Sequence, residues 1–234
     1  MTFPELREAL AKFHLPLDDQ MMEQYDRYLH LLVEWNEKFN LTSIVLPEEI
    51  VEKHFYDCLL ASDPVLFPNK QVLDIGSGAG FPGLVWAIAY PSSSFVLLDA
   101  TQKKCLFLEE VKRALNLSNV TVIHGRAESL SPSLREHFDL VSARAVASLR
   151  ILLELGAPWL KIGGTFIAMK GPKGEEELEE AHHAIKVLGL GQVEVRKATL
   201  PNEDGVRLNL YLKKERKTEK RYPRSYADVV KKPL

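Results

Sequence analysis

The sequence predicts an α/β protein with a seven-strand, doubly wound sheet preceded by a helical extension. Three observations carry that prediction. An aliphatic run, Val72–Ile75, passes straight into a turn with glycines at Gly76, Gly78 and Gly80. Strand-like and helix-like segments alternate from Gln71 onward. Ahead of them, residues 4–39 carry apolar side chains at helical spacing.

Each element has its own local reason. Met22, Tyr25, Leu29, Leu32, Trp35 and Phe39 recur every three or four residues, one stripe of a helix running through residues 4–39. Asn40–Ser43 breaks the pattern, and Pro47 opens a second helix to about Ala61, with Glu48 and Glu49 in its first turn. On that helix His54 and Asp57 lie three apart and share a face. Pro64 and Pro68 mark a boundary, so residues 1–66 form the extension, 67–213 the sheet domain and 214–234 a basic tail. Strands follow at Val72–Ile75, Ser94–Asp99, Val120–Ile123, Asp139–Val141, Gly164–Met169, Val193–Val195 and Val206–Leu212. Helices are expected over Thr101–Asn116 and Glu175–Leu188. The last two strands have only a short connection, which makes them antiparallel.

Composition sets outer limits. Hydrophobic content of 46% and charge of 26% describe an ordinary soluble chain, no apolar run approaches the ~20 residues of a membrane span, and the N-terminus lacks a signal-peptide pattern. Cys58 and Cys105 have no metal-ligand spacing. A cytoplasmic protein with reduced thiols and no metal is expected. The net charge of −2 is unevenly spread: Lys213–Leu234 has nine Lys/Arg against three Asp/Glu, a basic tail on an acidic body. That asymmetry suits a partner that is an acidic polymer, or a merely solvated tail.

The glycine turn carries the chemistry. Counted from Gly76, a dinucleotide G-x-G-x-x-G would place its third glycine at Phe81, and the register that does match starts too far beyond the strand. Asp74 at the strand end would repel a diphosphate but suits a cationic ligand. The D-x-G-x-G-x-G spacing resembles motif I of the class I S-adenosylmethionine-dependent methyltransferases, a Rossmann-like fold whose cofactor carries ammonium and sulfonium cations. Asp99, ending the second strand, is placed to accept from ribose hydroxyls. Ala127 and Glu128 follow the third strand, where the adenine is flanked in this fold. Arg144 and Lys170 follow the fourth and fifth strands and face the methyl-transfer position. After the fourth strand the chain reads S-A-R-A, without the D/N-P-P-Y turn of exocyclic-amine methylation, and neither cysteine lies on a sheet-end loop. A ring nitrogen such as guanine N7 needs only positioning, and its N7/O6 edge is read by arginine or lysine. Arg126, Arg144, Lys170 and Arg207 are therefore the cations of interest.

Eight segments together carry a narrower resemblance: W-N-E-K-F-N-L-T (35–42), K-H-F-Y-D-C (53–58), D-I-G-S-G-A-G-F-P-G (74–83), L-L-D-A-T-Q-K-K (97–104), G-R-A-E (125–128), R-A-V-A-S-L (144–149), M-K-G-P (169–172) and R-Y-P-R (221–224). They resemble the bacterial small-subunit rRNA guanine-N7 methyltransferase family, RsmG or GidB. The resemblance implies methylation of N7 on one guanine, position 527, of 16S rRNA. It implies cofactor contacts at Asp74, Gly76, Gly78, Gly80, Phe81, Asp99, Ala100, Thr101, Ala127, Glu128 and Arg144. It places His54, Asp57, Arg144 and Lys170 in the catalytic cleft, and Arg126, Lys170, Arg207, Arg221 and Arg224 against RNA. The chain has Cys58 and Ala143 where family members often have serine, and its tail is poorer in glycine and proline. The expected partner is 16S rRNA, the small ribosomal subunit or its assembly intermediate, met by a monomer. The alternatives are a methyltransferase for another substrate and a non-enzymatic RNA-binding factor with a vestigial pocket.

Overall fold

The computed structural model describes residues 1–144 and 146–234, so Ala145 of the S-A-R-A-V-A segment lies outside the described residues. Seven strands form one sheet: β1 (Gln71–Ile75), β2 (Ser94–Asp99), β3 (Val120–His124), β4 (Phe138–Arg144), β5 (Leu160–Lys170), β6 (Leu190–Leu200) and β7 (Glu203–Lys214). Their order is β3-β2-β1-β4-β5-β7-β6. The first five are parallel, while β7 runs antiparallel between β5 and β6. The chain starts at the centre with β1, winds out to β3, then returns to lay β4 beside β1. That reversal leaves a crevice beyond the carboxyl ends of β1 and β4, where open α/β sheets bind ligands.

The helical extension is not a separate body. Helices α1 (Phe3–Ala11) and α2 (Asp19–Phe39) replace the single helical stretch expected over 4–39. His14 turns left-handed with φ of 58°, Pro16 follows, and Asp18 restarts the helix by accepting from the Met21 amide at 2.8 Å. Leu6, Tyr25, Tyr28 and Leu32 are buried in the same core as Leu84, Trp86 and Phe107 beneath the sheet. Next comes α3 (Pro47–Ile50), a π-helical turn over Val51–Tyr56, and α4 (Asp57–Leu60). Widened turns of this kind recur at functional sites. Here the turn carries His54 and delivers Asp57 at its end, both buried.

Between the strands lie α5 (Gly83–Ala89), α6 (Gln102–Ala114) and α7 (Leu149–Gly156), the last unforeseen in the sequence pattern. The helix expected over 175–188 is broken at buried Ala181 into α8 (Gly174–Glu180) and α9 (His182–Leu188). The chain ends in α10 (Tyr226–Lys231). No helix of the described residues is long and apolar enough to cross a membrane.

Candidate active site

Two cavities open beyond the strand ends, and they meet. The first, about 420 Å³, is walled by the glycine turn after β1, the ends of β2 and β3, and Arg144 at the end of β4. Gly76 is obligatory there: its φ is +70°, and a Cβ would fall 2.6 Å from Val146 Cγ2. At Gly78 a Cβ would meet only a carbonyl at 3.8 Å, so bare backbone faces open space. Phe81, Asp99, Ala100, Ala127 and Glu128, all expected at the cofactor, line this cavity. Asp99 is 5% exposed; its carboxylate accepts from the amides of Gly78 at 2.9 Å and Thr101 at 2.8 Å. Thr101 itself does not line the wall. It orients Asp99 through its backbone.

Besides Thr101, two more expected cofactor contacts lie off the cavity wall. Asp74 is fully buried beneath the turn. Its Oδ1 accepts from the Ser142 hydroxyl at 2.8 Å and its Oδ2 from the Gly83 amide at 3.2 Å, and it does not line the cavity. Burial pushes this carboxyl up to about 6, although hydrogen bonds from Ser142, Ser77 and Gly83 oppose the shift. Asp74 braces the glycine turn instead of meeting a cation. Gly80 likewise faces the helical layer, where a Cβ would run into Leu84, and Tyr28 donates its hydroxyl to the Ala79 carbonyl alongside.

The second cavity, about 600 Å³, is lined by side chains from the π-helical turn, β4, β5 and β7. Arg144, His54 and Val146 line both cavities and form the junction. The Arg144 guanidinium donates to Asp57 Oδ2 at 3.1 Å, to the Lys53 carbonyl at 3.3 Å and to His54 Nδ1 at 2.5 Å. It lies 5.3 Å from the Phe81 ring centroid, and the same ring stacks on His54 at 4.2 Å.

These contacts assign the histidine tautomer. Arginine can only donate, so His54 Nδ1 is the acceptor and its Nε2–H donates to Thr42 Oγ1 at 2.9 Å. Burial, and then the neighbouring Arg144 charge, lower its pKa to about 3. His54 is a neutral ring with both nitrogens committed. It positions Arg144 and supplies no base, which corrects its expected catalytic role.

The remaining expected residues divide. Asp57 is 5% exposed between Arg144 and Arg207, and burial raises its carboxyl above the ordinary range against both guanidinium charges. Lys170 reaches the second cavity but is tethered to Glu177 at 2.8 Å and to the Ala147 carbonyl at 2.7 Å. Arg207 lines the same cavity and pairs with Glu203. Arg126, expected at RNA, sits instead on the rim of the first cavity, 5.0 Å over the ring of Tyr226. Arg224 is corrected too: it clamps the fully buried Glu154 through its amide and guanidinium, the latter at 2.7 and 2.5 Å, and anchors the tail. Arg135 adds three bonds to tail carbonyls, at 2.7, 3.0 and 2.8 Å. Arg221 alone of the two stays exposed, beside Glu219 and Tyr222. Cys58 comes within 3.5 Å of Arg144 but is fully buried, and burial pushes its thiol well up, so it is no nucleophile.

Several wall residues escaped the sequence reading, Thr42, Lys104 and Tyr226 among them. Thr42 comes from the break after α2, Lys104 from the first turn of α6, and Tyr226 from the tail. Only Lys104, in the Q-K-K run five residues beyond Asp99, left a local signal.

Strand order, the glycine turn and a cavity with an acid at each of the β2 and β3 ends define a class I S-adenosylmethionine-dependent methyltransferase. The cavity fits that cofactor: bare backbone at Gly76–Gly78, the Asp99 carboxylate at the end of β2 and the Ala127–Glu128 turn after β3 all line it. M. jannaschii TYW2, solved with AdoMet, shares the fold at a TM-score of 0.53 and 19% identity, covering 64% of this chain and 71% of that one. Residues 21–204 match the family model GidB, rRNA small subunit methyltransferase G. Proteins called ribosomal RNA small subunit methyltransferase G from Bacillus cytotoxicus and Staphylococcus aureus (strain JH9) are 41% and 42% identical over 100% of this chain and 99% of their own length. The chain belongs to the rRNA small subunit methyltransferase G family, and it is an enzyme of that S-adenosylmethionine-dependent class.

Proposed function

We propose that the enzyme methylates N7 of a single guanine, position 527, in small-subunit 16S rRNA. One observation carries this reading: Arg144, His54 and Val146 wall both cavities, so a donor bound in one faces a flat base bound in the other. Bound in the first cavity, S-adenosylmethionine supplies an electrophilic methyl on cationic sulfur, open to in-line displacement by a lone pair. The residues around the junction suit a nucleophile that brings its own lone pair. His54 has no free nitrogen, and the Cys58 thiol is buried and held protonated. Guanine N7 has an in-plane lone pair and needs neither base nor metal. Arg144 orients the base by donating to O6, the acceptor beside N7. Lys170 and Arg207 hold the neighbouring phosphate side, and exposed Arg221 contacts backbone farther along. The relatives' names supply the RNA class. The protein works as a monomer in the cytoplasm, on the small subunit or its assembly intermediate.

The test incubates the protein with radiolabelled S-adenosylmethionine and small subunits from cells lacking it, then maps label by N7-specific cleavage and reverse transcription. Label at one guanine supports the reading. Cofactor binding without transfer to RNA overturns it.

A further inference from the structure

One carboxylate oxygen of the acceptor cavity's wall has no hydrogen-bond partner. Asp57 Oδ1 is buried and makes no hydrogen bond, although its twin Oδ2 accepts from Arg144 at 3.1 Å. Arg207 Nε forms an ion pair with Oδ1 at 3.4 Å but without hydrogen-bond geometry, and the guanidinium is drawn to Glu203. A buried carboxylate oxygen left unpaired is costly, and such atoms in native folds call for an explanation. Guanidinium groups flank Asp57 on two sides and oppose the upward push that burial gives its carboxyl.

Order along the cavity gives the explanation. Arg144 lines both cavities, whereas Asp57 lines only the acceptor side. Guanine presents, in sequence around its edge, the N7 lone pair, the O6 acceptor and the N1–H donor. With N7 at the junction, O6 meets Arg144 and N1–H arrives where Asp57 stands. Hydrogen-bonded to each other, Arg144 and Asp57 form an adjacent donor and acceptor that match O6 and N1–H. Adenine offers the reverse, an amino donor and a bare N1.

We propose that Asp57 Oδ1 accepts the N1–H of the target guanine and, with Arg144, makes the enzyme specific for guanine over adenine. This rests on the guanine reading above. It gives Asp57 a specificity role distinct from moving a proton.

The test compares small subunits reconstituted with guanine or 1-methylguanine at the target position, using wild type, Asp57→Ala and Asp57→Asn. The wild type should favour guanine in kcat/KM by about 10–100-fold, the worth of a hydrogen bond to a charged group. Asp57→Ala should lose a similar factor on guanine yet discriminate less than about threefold, because only the matched pair shares the bond. Asp57→Asn keeps a carbonyl acceptor there and should recover part of the preference. S-adenosylmethionine affinity of the free variants, measured by calorimetry, verifies that the first cavity is intact. If Asp57 only steadies Arg144, both substrates slow equally and the ratio stays at its wild-type value, which overturns the proposal. Failure of the wild type to label guanine at all instead overturns the guanine reading, a separate result.

Discussion

The two cavities are walled by different kinds of structure. Backbone at strand ends makes most of the cofactor cavity: the Gly76–Gly78 turn, the Asp99–Ala100 segment and the Ala127 turn. Charged side chains make the acceptor cavity, drawn from the π-helical turn, β4, β5 and β7, with Lys53, Asp57, Arg144, Lys170, Glu177, Glu203 and Arg207 around it. A backbone-built cavity tolerates few sequences but follows from the fold. A side-chain-built one can be re-aimed at another substrate while the fold stays constant.

The contrast can be broken most sharply at the junction. Arg144→Ala removes the donor common to both cavities and should lower kcat about 10²–10³-fold in the subunit assay, the usual loss for one preorganised donor. Cofactor affinity, held largely by backbone, should change only about threefold in calorimetry. A loss confined to cofactor affinity would place Arg144 with the cofactor alone.

Next in size is the backbone itself. Gly76→Ala needs a side chain at φ of +70° and within 2.6 Å of Val146. It should cost about 1–3 kcal/mol of strain, and cofactor affinity should drop at least about tenfold. Unchanged binding would mean the turn is looser than its geometry implies.

Titration separates the two regions by sign. His54, at the junction, has its pKa depressed to about 3 from 6.5, so its contribution to stability is present above pH 6.5 and is lost as the pH falls. Asp74, under the glycine turn, has its pKa raised from 3.8 to about 6, so its contribution is present below pH 3.8 and is lost as the pH rises through 6. Between pH 7 and 5 the two oppose each other. The gap in urea-unfolding free energy between wild type and His54→Gln should shift by roughly 2 kcal/mol against the wild type on acidification to pH 5. Asp74→Asn should shift the gap by roughly 1 kcal/mol the other way over the same interval. Parallel curves for either variant would mean that the group is solvated.

The smallest effect belongs to the tail. Tyr226→Ala takes one aromatic ring from the rim of the cofactor cavity and should weaken S-adenosylmethionine binding about 2–10-fold, the range of a single aromatic contact. Arg224→Ala should have the same effect on binding by releasing α10. An equal loss of RNA binding with cofactor affinity intact would return the tail to a phosphate-contacting role.

Much of this was legible in the chain itself, because short-range chemistry dictates it. Aliphatic strands alternating with amphipathic helices imply the parallel sheet, and the antiparallel close follows from the short link between β6 and β7. A strand running directly into Gly76, Gly78 and Gly80 marks where backbone meets a ligand, and Asp99 is placed by its position at the end of β2. Periodicity also brought His54 and Asp57 to one helix face, where both meet Arg144. What only the tertiary structure decided concerns partners distant in sequence. A strand-end acid reads the same whether it lines the cavity, as Asp99 does, or folds under the turn to Ser142 and Gly83, as Asp74 does. An arginine in a basic tail reads as a phosphate contact until Glu154, 70 residues away, is found to hold Arg224. Nothing local to Thr42 or Tyr226 marks either as cavity wall. The physical reason is the same throughout: hydrogen bonding and periodicity act over a few residues and leave a pattern, whereas burial and charge pairing are settled by whatever the fold brings alongside.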